Sequence, residues 1–109
     1  MATIYKMVKG DTGPQIQVTL TDEDTGAAKD LTGGSVTLHF RAVGSTTVLF
    51  SRLLTLTDAA NGVAVVQWAS GDLDQTPGMY EGELEVELAS GVIETIYDKL
   101  RFRIRDEIA

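Results

Sequence analysis

The stretch Tyr80-Glu81-Gly82-Glu83-Leu84-Glu85-Val86-Glu87-Leu88 changes character at every step. Its even positions are apolar or small, and every odd position is glutamate. Successive side chains of an extended chain point to opposite faces, so one side of this segment is apolar and the other carries a row of carboxylates. A helix would scatter the same residues around its circumference. The segment is read as a strand half-buried in a sheet.

The same period runs outward from it. Leu100, Phe102 and Ile104 alternate with Arg101, Arg103 and Arg105. Val36, Leu38, Phe40 and Ala42 alternate with Thr37, His39 and Arg41, and Ile16, Val18 and Leu20 with Gln17, Thr19 and Thr21. Residues 4–8, 48–57, 63–68 and 92–97 are further strand candidates, rich in Val, Ile, Leu, Thr and Tyr. Between them fall turn signals: Gly10-Asp11-Thr12-Gly13-Pro14, Asp24-Thr25-Gly26, Thr32-Gly33-Gly34, Asn61-Gly62, Pro77-Gly78 and Ser90-Gly91. Asp58-Ala59-Ala60 and Ser70 to Gln75 form brief turns at most, the second capped by Ser70 or Asp72. About seven to eight short strands so punctuated predict an all-β antiparallel sandwich, with residues 1–109 as a single domain.

Composition narrows the function classes. The 109 residues are 43% hydrophobic and 23% charged, within the globular range. There is no cysteine, which excludes disulfides and thiolate metal sites. Nine Lys and Arg against sixteen Asp and Glu leave a net charge of -7. Duplex DNA and anionic membranes both attract basic surfaces, so neither is an expected partner. Met1-Ala2-Thr3-Ile4-Tyr5-Lys6 lacks the charged start and apolar run of a signal peptide. Apolar runs such as Val63 to Val66 are far too short to cross a bilayer. The expectation is a soluble protein made inside a cell.

Catalysis is not expected. His39 is the only histidine and falls at a polar strand position, where a general base would need an orienting partner and a nucleophile in reach. No Gly-x-Ser-x-Gly elbow and no phosphate-binding loop is present. Asp22, Glu23 and Asp24 cluster before Thr25-Gly26, but the alternate acids and closing glutamate of a helix-loop-helix calcium loop are missing. A polar hairpin turn with Gly26 in the left-handed region accounts for them. Lys9-Gly10-Asp11 is a turn leading to Pro14. No cofactor and no metal is expected.

The charge rows carry more information. Glu81, Glu83, Glu85 and Glu87 share one strand face, and Arg101, Arg103 and Arg105 share another. Like charges two apart repel, so opposite charge should lie nearby. Either the two rows compensate each other across one sheet, at about 0–1 kcal/mol per exposed pair, or one faces a neighbouring subunit and sets its register. Both readings stay open. The terminal strands, with Ile4, Lys6 and Val8 on the first and Arg105 on the last, are candidate edges for strand addition.

Several phrases follow one another in a familiar order: Lys9-Gly10-Asp11-Thr12, Asp30-Leu31-Thr32-Gly33 before Val36-Thr37-Leu38, Asp58-Ala59-Ala60-Asn61-Gly62-Val63 before Trp68, Pro77-Gly78-Met79-Tyr80-Glu81-Gly82-Glu83-Leu84, and Ser90-Gly91 with Glu94-Thr95. In this order the chain resembles the N-terminal domain family of the phage baseplate upper protein. Each phrase also has a folding use. Leu31 anchors a loop, Gly78 precedes a strand, Trp68 ends one, and Tyr80 buries its ring while its hydroxyl bonds nearby backbone. The resemblance implies an immunoglobulin-like β-sandwich and a bacteriophage virion structural protein, a tail or baseplate adaptor assembled in the host cytoplasm. Its partners would be other virion proteins and further copies of itself. Two alternatives are a capsid decoration subunit and a carbohydrate-binding module. The latter needs exposed aromatics, and the chain has only three Tyr, three Phe and one Trp, most of them required for a core.

Replacing His39 by alanine is expected to leave particle assembly unchanged. A hydrolytic activity that vanished with the imidazole would restore the catalytic reading.

Overall fold

The computed structural model describes residues 4–22, 24–96 and 99–108. Met1, Ala2 and Thr3, Glu23 of the acidic turn, Tyr97 at the end of the expected strand 92–97, Asp98 and Ala109 lie outside them. The strands are β1 (Ile4–Val8), β2 (Gln15–Thr19), β3 (Ser35–Ala42), β4 (Phe50–Leu53), β5 (Thr55–Asp58), β6 (Val63–Gln67), β7 (Gly78–Glu87), β8 (Ile93–Thr95) and β9 (Leu100–Arg105), with a 3-10 turn at Ala59–Asn61 between β5 and β6. They form two sheets, one ordered β1-β9-β7-β3-β4 with β8 also against β7, the other β2-β6-β5. The protein is an all-β, two-sheet sandwich.

The strand count is nine, not the seven to eight expected. Residues 48–57 were expected as one strand and instead divide at Leu54. β4 pairs with β3 in the larger sheet, and β5 pairs with β6 in the smaller. The Leu54 amide donates to the Val36 carbonyl at 2.8 Å, and its side chain is buried. Phe50, Arg52, Leu54 and Leu56 are all the more buried members of their local alternation. The period of two therefore passes unbroken through a change of sheet, which is why it conceals the corner.

A second correction concerns direction. β1 runs parallel to β9, from Ile4 opposite Arg101 to Val8 opposite Arg105, where an antiparallel sandwich was expected. The two strands come from opposite ends of the chain, so no hairpin imposes an antiparallel sense. This pairing also occupies both sides of β9, since β7 lies on the other. The last strand is thus not an edge, and only β1 leaves one open at that side.

β7 organises the larger sheet. One of its sides holds β3 from Ser35 opposite Glu87 to Ala42 opposite Tyr80. The other is divided between β9, along Gly78 to Gly82, and β8, along Glu85 to Glu87.

The core forms where the sheets face each other. Phe40 lies 4.7 Å from Phe50, 5.2 Å from Tyr80 and Phe102, and 5.8 Å from Trp68, measured between ring centroids. Such contacts add about 0.5–1.5 kcal/mol each beyond the area they bury. Trp68 follows β6 directly, so it carries the smaller sheet into this cluster. Its Nε1 is buried without an acceptor among the described residues, a cost of about 1–3 kcal/mol offset by burial of the ring. Gly82, opposite Phe40, makes the closure possible. A Cβ there would lie 2.5 Å from Leu38 Cδ1 and 3.1 Å from Phe102 Cε2.

Two turn glycines make a controlled comparison. Gly62 has φ of 72° and a Cβ there would lie 2.4 Å from the Leu20 carbonyl, whereas Gly44 has φ of 84° and open space around it. Gly44→Ala is expected to cost about 1 kcal/mol from backbone strain alone, and Gly62→Ala at least about 2–4 kcal/mol because backbone must also shift. Urea denaturation of the two variants measures the difference.

Candidate functional site

Alternation leaves the odd residues of β7 and β9 on the outer surface of the larger sheet. Arg101, Arg103 and Arg105 are all exposed, with Lys6 and Ile4 exposed beside them on β1 and Val8 half-buried. Glu83 and Glu87 are exposed and Glu85 is half-buried.

Glu81 departs from its row. It was expected to project as an assembly contact, yet it is only 5% exposed. Arg41 approaches its Oε1 at 3.2 Å and Lys99 its Oε2 at 3.4 Å, so its partners are internal. Burial by itself would raise this carboxyl, but the charges and hydrogen bonds of Lys99 and Arg41 outweigh it and hold Glu81 below the usual carboxylate range. The small cavity beside it, lined by His39, Arg41, Val48, Glu83 and Lys99, is about 50 Å³, enough for little more than water.

The two charge rows occupy one sheet but do not pair with each other. In the register Arg101 lies opposite Glu81, already taken, and Arg103 lies opposite Met79. Arg103 Nε is 3.3 Å from the Met79 sulfur, and Arg105 donates to the Asp106 carbonyl at 2.8 Å. Among the described residues no carboxylate forms an ion pair with any of the three arginines.

His39 stands in a cross-strand row. Its Nδ1 is 2.7 Å from Ser51 Oγ and its Nε2 is 3.4 Å from Glu85 Oε1. These are the residue types of an acyl-transfer triad, so the surroundings decide what they can do. The His39 and Glu85 side chains are 30% and 44% exposed. Ser51 lies within a regular strand rather than on a sharp elbow, and β3, paired along both sides, has committed its amides to the ladder. Nothing here is arranged to hold a developing oxyanion. The row reads as a hydrogen-bonded tie across β4, β3 and β7.

Other singled-out residues take structural positions. Leu31 is fully buried, Trp68 is in the core, Gly78 opens β7 opposite Ile104, and the buried Tyr80 donates its hydroxyl to the Thr76 carbonyl. Asp22 Oδ1 accepts from the amides of Asp24 and Thr25, and Gly26 has φ of 72°. Sequence reasoning missed the ion pair in which Arg52 donates to both carboxylate oxygens of Asp72, at 2.9 and 2.6 Å. Asp72, 6% exposed, also accepts from the Ala69 amide, so the pair straps the loop before β7 to β4. The signal was available: Arg52 is the lone charge at an inward position of its segment. Lys29 and Glu94 make a second such tie at 2.7 Å.

The exposed apolar residues are unevenly spread. Ile4, Val43, Val48, Leu49, Leu53, Val92 and Ile93 all belong to strands of the larger sheet or the hairpins joining them, and Ile108 follows β9. The smaller sheet presents Gln15, Gln17, Thr19, Thr55, Thr57 and Gln67. Among the described residues, every aromatic ring packs within the core or against it, leaving no platform for a sugar. No group of His, Asp and Glu among them is placed to hold a metal ion.

No known protein family and no curated protein matches the chain. Among solved structures it is similar to CopC from Methylosinus trichosporium OB3b, with a TM-score of 0.54 and 8% identity over 99% of this chain and 89% of that one. The likeness is one of fold alone and extends over the whole sandwich.

Removing the Glu81 charge tests its enclosure. Because its folded pKa is depressed, the stability it contributes is present above about pH 4.5 and is lost as pH falls through the folded value. Glu81→Gln is expected to be less stable at neutral pH by about 1–3 kcal/mol. That gap should narrow as acidification protonates the native residue, as thermal melts across pH will show.

Proposed function

We propose that the protein is a bacteriophage virion structural component, a tail or baseplate adaptor that works by docking onto other virion proteins and catalyses nothing. The observation that carries this reading is the asymmetry between the sheets: among the described residues, arginines without ion-pair partners, exposed glutamates and nearly all the exposed apolar side chains belong to one sheet or its hairpins, and amides and hydroxyls cover the other. Exposed apolar and charged groups concentrated on one sheet and its hairpins suit protein contacts.

The strand order supports the immunoglobulin-like arrangement implied by the resemblance to the baseplate upper protein family. One sheet reads β1-β9-β7-β3-β4 and the other β2-β6-β5, with Tyr80 near the start of β7 bonded back to Thr76. β1 adds an open edge beside the basic row, available for strand addition. In a virion many copies act together, so contacts that are weak singly suffice. The aromatic inventory weighs against carbohydrate binding. Capsid decoration differs from the adaptor reading only in the partner captured.

Reversing Arg101, Arg103 and Arg105 to glutamate should reduce incorporation into particles by about tenfold or more, while the melting temperature falls by no more than about 4–8 °C. Mass spectrometry of purified virions reads the first and calorimetry the second. Undiminished incorporation with a lower melting temperature would sink the docking role of this row. Recovery of major capsid protein rather than tail components with the tagged wild-type chain would turn the reading to decoration.

A further inference from the structure

The charged face has a pattern of its own. Arg101 and Arg103 lie level with Glu81 and Met79, near the start of β7, and Arg105 lies beyond them. Glu83, Glu85 and Glu87 follow along β7 past the end of β9, where β8 takes over the pairing. From Arg103 to Glu85, the centres of the two rows, is six residues of strand, about 20 Å at roughly 3.3 Å per residue. That is about twice the screening length at ordinary salt. Only Arg101 and Glu83, at the facing ends of the rows, are diagonal neighbours, and among the described residues they form no ion pair.

We propose that this face is where two copies of the chain meet, face to face and reversed end for end, each copy's arginines against the other's glutamates. The proposal rests on the docking reading and names the partner of that same face. Both rows have three charges, two residues apart. Reversal about the level between Glu81 and Glu83 sets Arg101 against Glu83, Arg103 against Glu85 and Arg105 against Glu87. The pairs are displaced sideways by one strand, about 5 Å, which an arginine side chain spans. Each pair then occurs twice, as a twofold contact requires.

Glu81 fits this arrangement because its charge is compensated within its own chain. It falls next to the twofold, where two bare carboxylates would repel, and Arg41 and Lys99 have already compensated it. Lys6, level with Arg103 on β1, strengthens the basic half. The face measures about 30 by 20 Å, or about 600 Å² per copy, against roughly 800 Å² for a standard stable interface. The net charge of -7 also opposes association at long range. The pairing is therefore weak, reversible and governed by salt.

Sedimentation velocity on the 109-residue chain tests it. At about 100 μM protein the wild type should dimerise in about 50 mM salt, with an apparent Kd at least tenfold weaker in about 500 mM. The triple Arg→Glu variant and a triple Glu→Lys variant at Glu83, Glu85 and Glu87 should each be monomeric, and an equimolar mixture should form heterodimers. Circular dichroism checks folding; if either triple variant is unfolded, Arg103→Gln and Glu85→Gln should each weaken the dimer severalfold. A wild-type monomer at low salt, a dimer indifferent to salt and to the substitutions, or folded reversal variants that do not pair when mixed would overturn the proposal. If the wild type is monomeric while the arginine-reversed chain is still lost from particles, the twofold contact fails and the docking reading stands.

Discussion

Phe40 is the point at which the two sheets are held together. It touches three rings of its own sheet, from Phe50, Tyr80 and Phe102, and Trp68 reaches it from the end of β6. With no cysteine the chain has no disulfide to bind its layers, and apolar contact holds them together. The closure depends on an absence as much as a presence: without a side chain at Gly82, Leu38 and Phe102 fill the space opposite Phe40. Once these rings face inward, every other residue of β3, β7 and β9 is obliged to face out.

That obligation produces the charged face, but the strand pairing decides what the charges do. β9 covers only the first half of β7, so the arginines end where the exposed glutamates begin. Glu81 alone lies level with the basic strand, and Arg41 and Lys99 enclose it. The same offset leaves the arginine row without ion-pair partners among the described residues. The surface is polar along its length, basic at one end and acidic at the other, as self-complementary docking requires. His39, placed between Ser51 and Glu85, joins three strands across the middle of it.

Alternating residues made the strands legible, because a half-buried extended chain must place apolar groups on one side only. Tyr80 to Leu88 and Leu100 to Arg105 could be assigned, with their inward and outward faces, from the pattern alone. Where that pattern carried no information the reading failed. The segment 48–57 keeps its period across Leu54 while passing from one sheet to the other, since inward means the same for both layers. Arg52 lay in plain view as a charge at an inward position, but its partner Asp72 is twenty residues away in a loop.

The amino-acid sequence by itself determined the class of architecture and the faces of its strands, because side-chain direction in an extended chain is local and repeats every two residues. Only the tertiary structure decided which strands are neighbours, that β1 lies parallel to β9, and that Glu81 is enclosed while Glu83 is not. Neighbour choice and relative sliding depend on the shape of the shared core and the strands it brings alongside, and no local period encodes either.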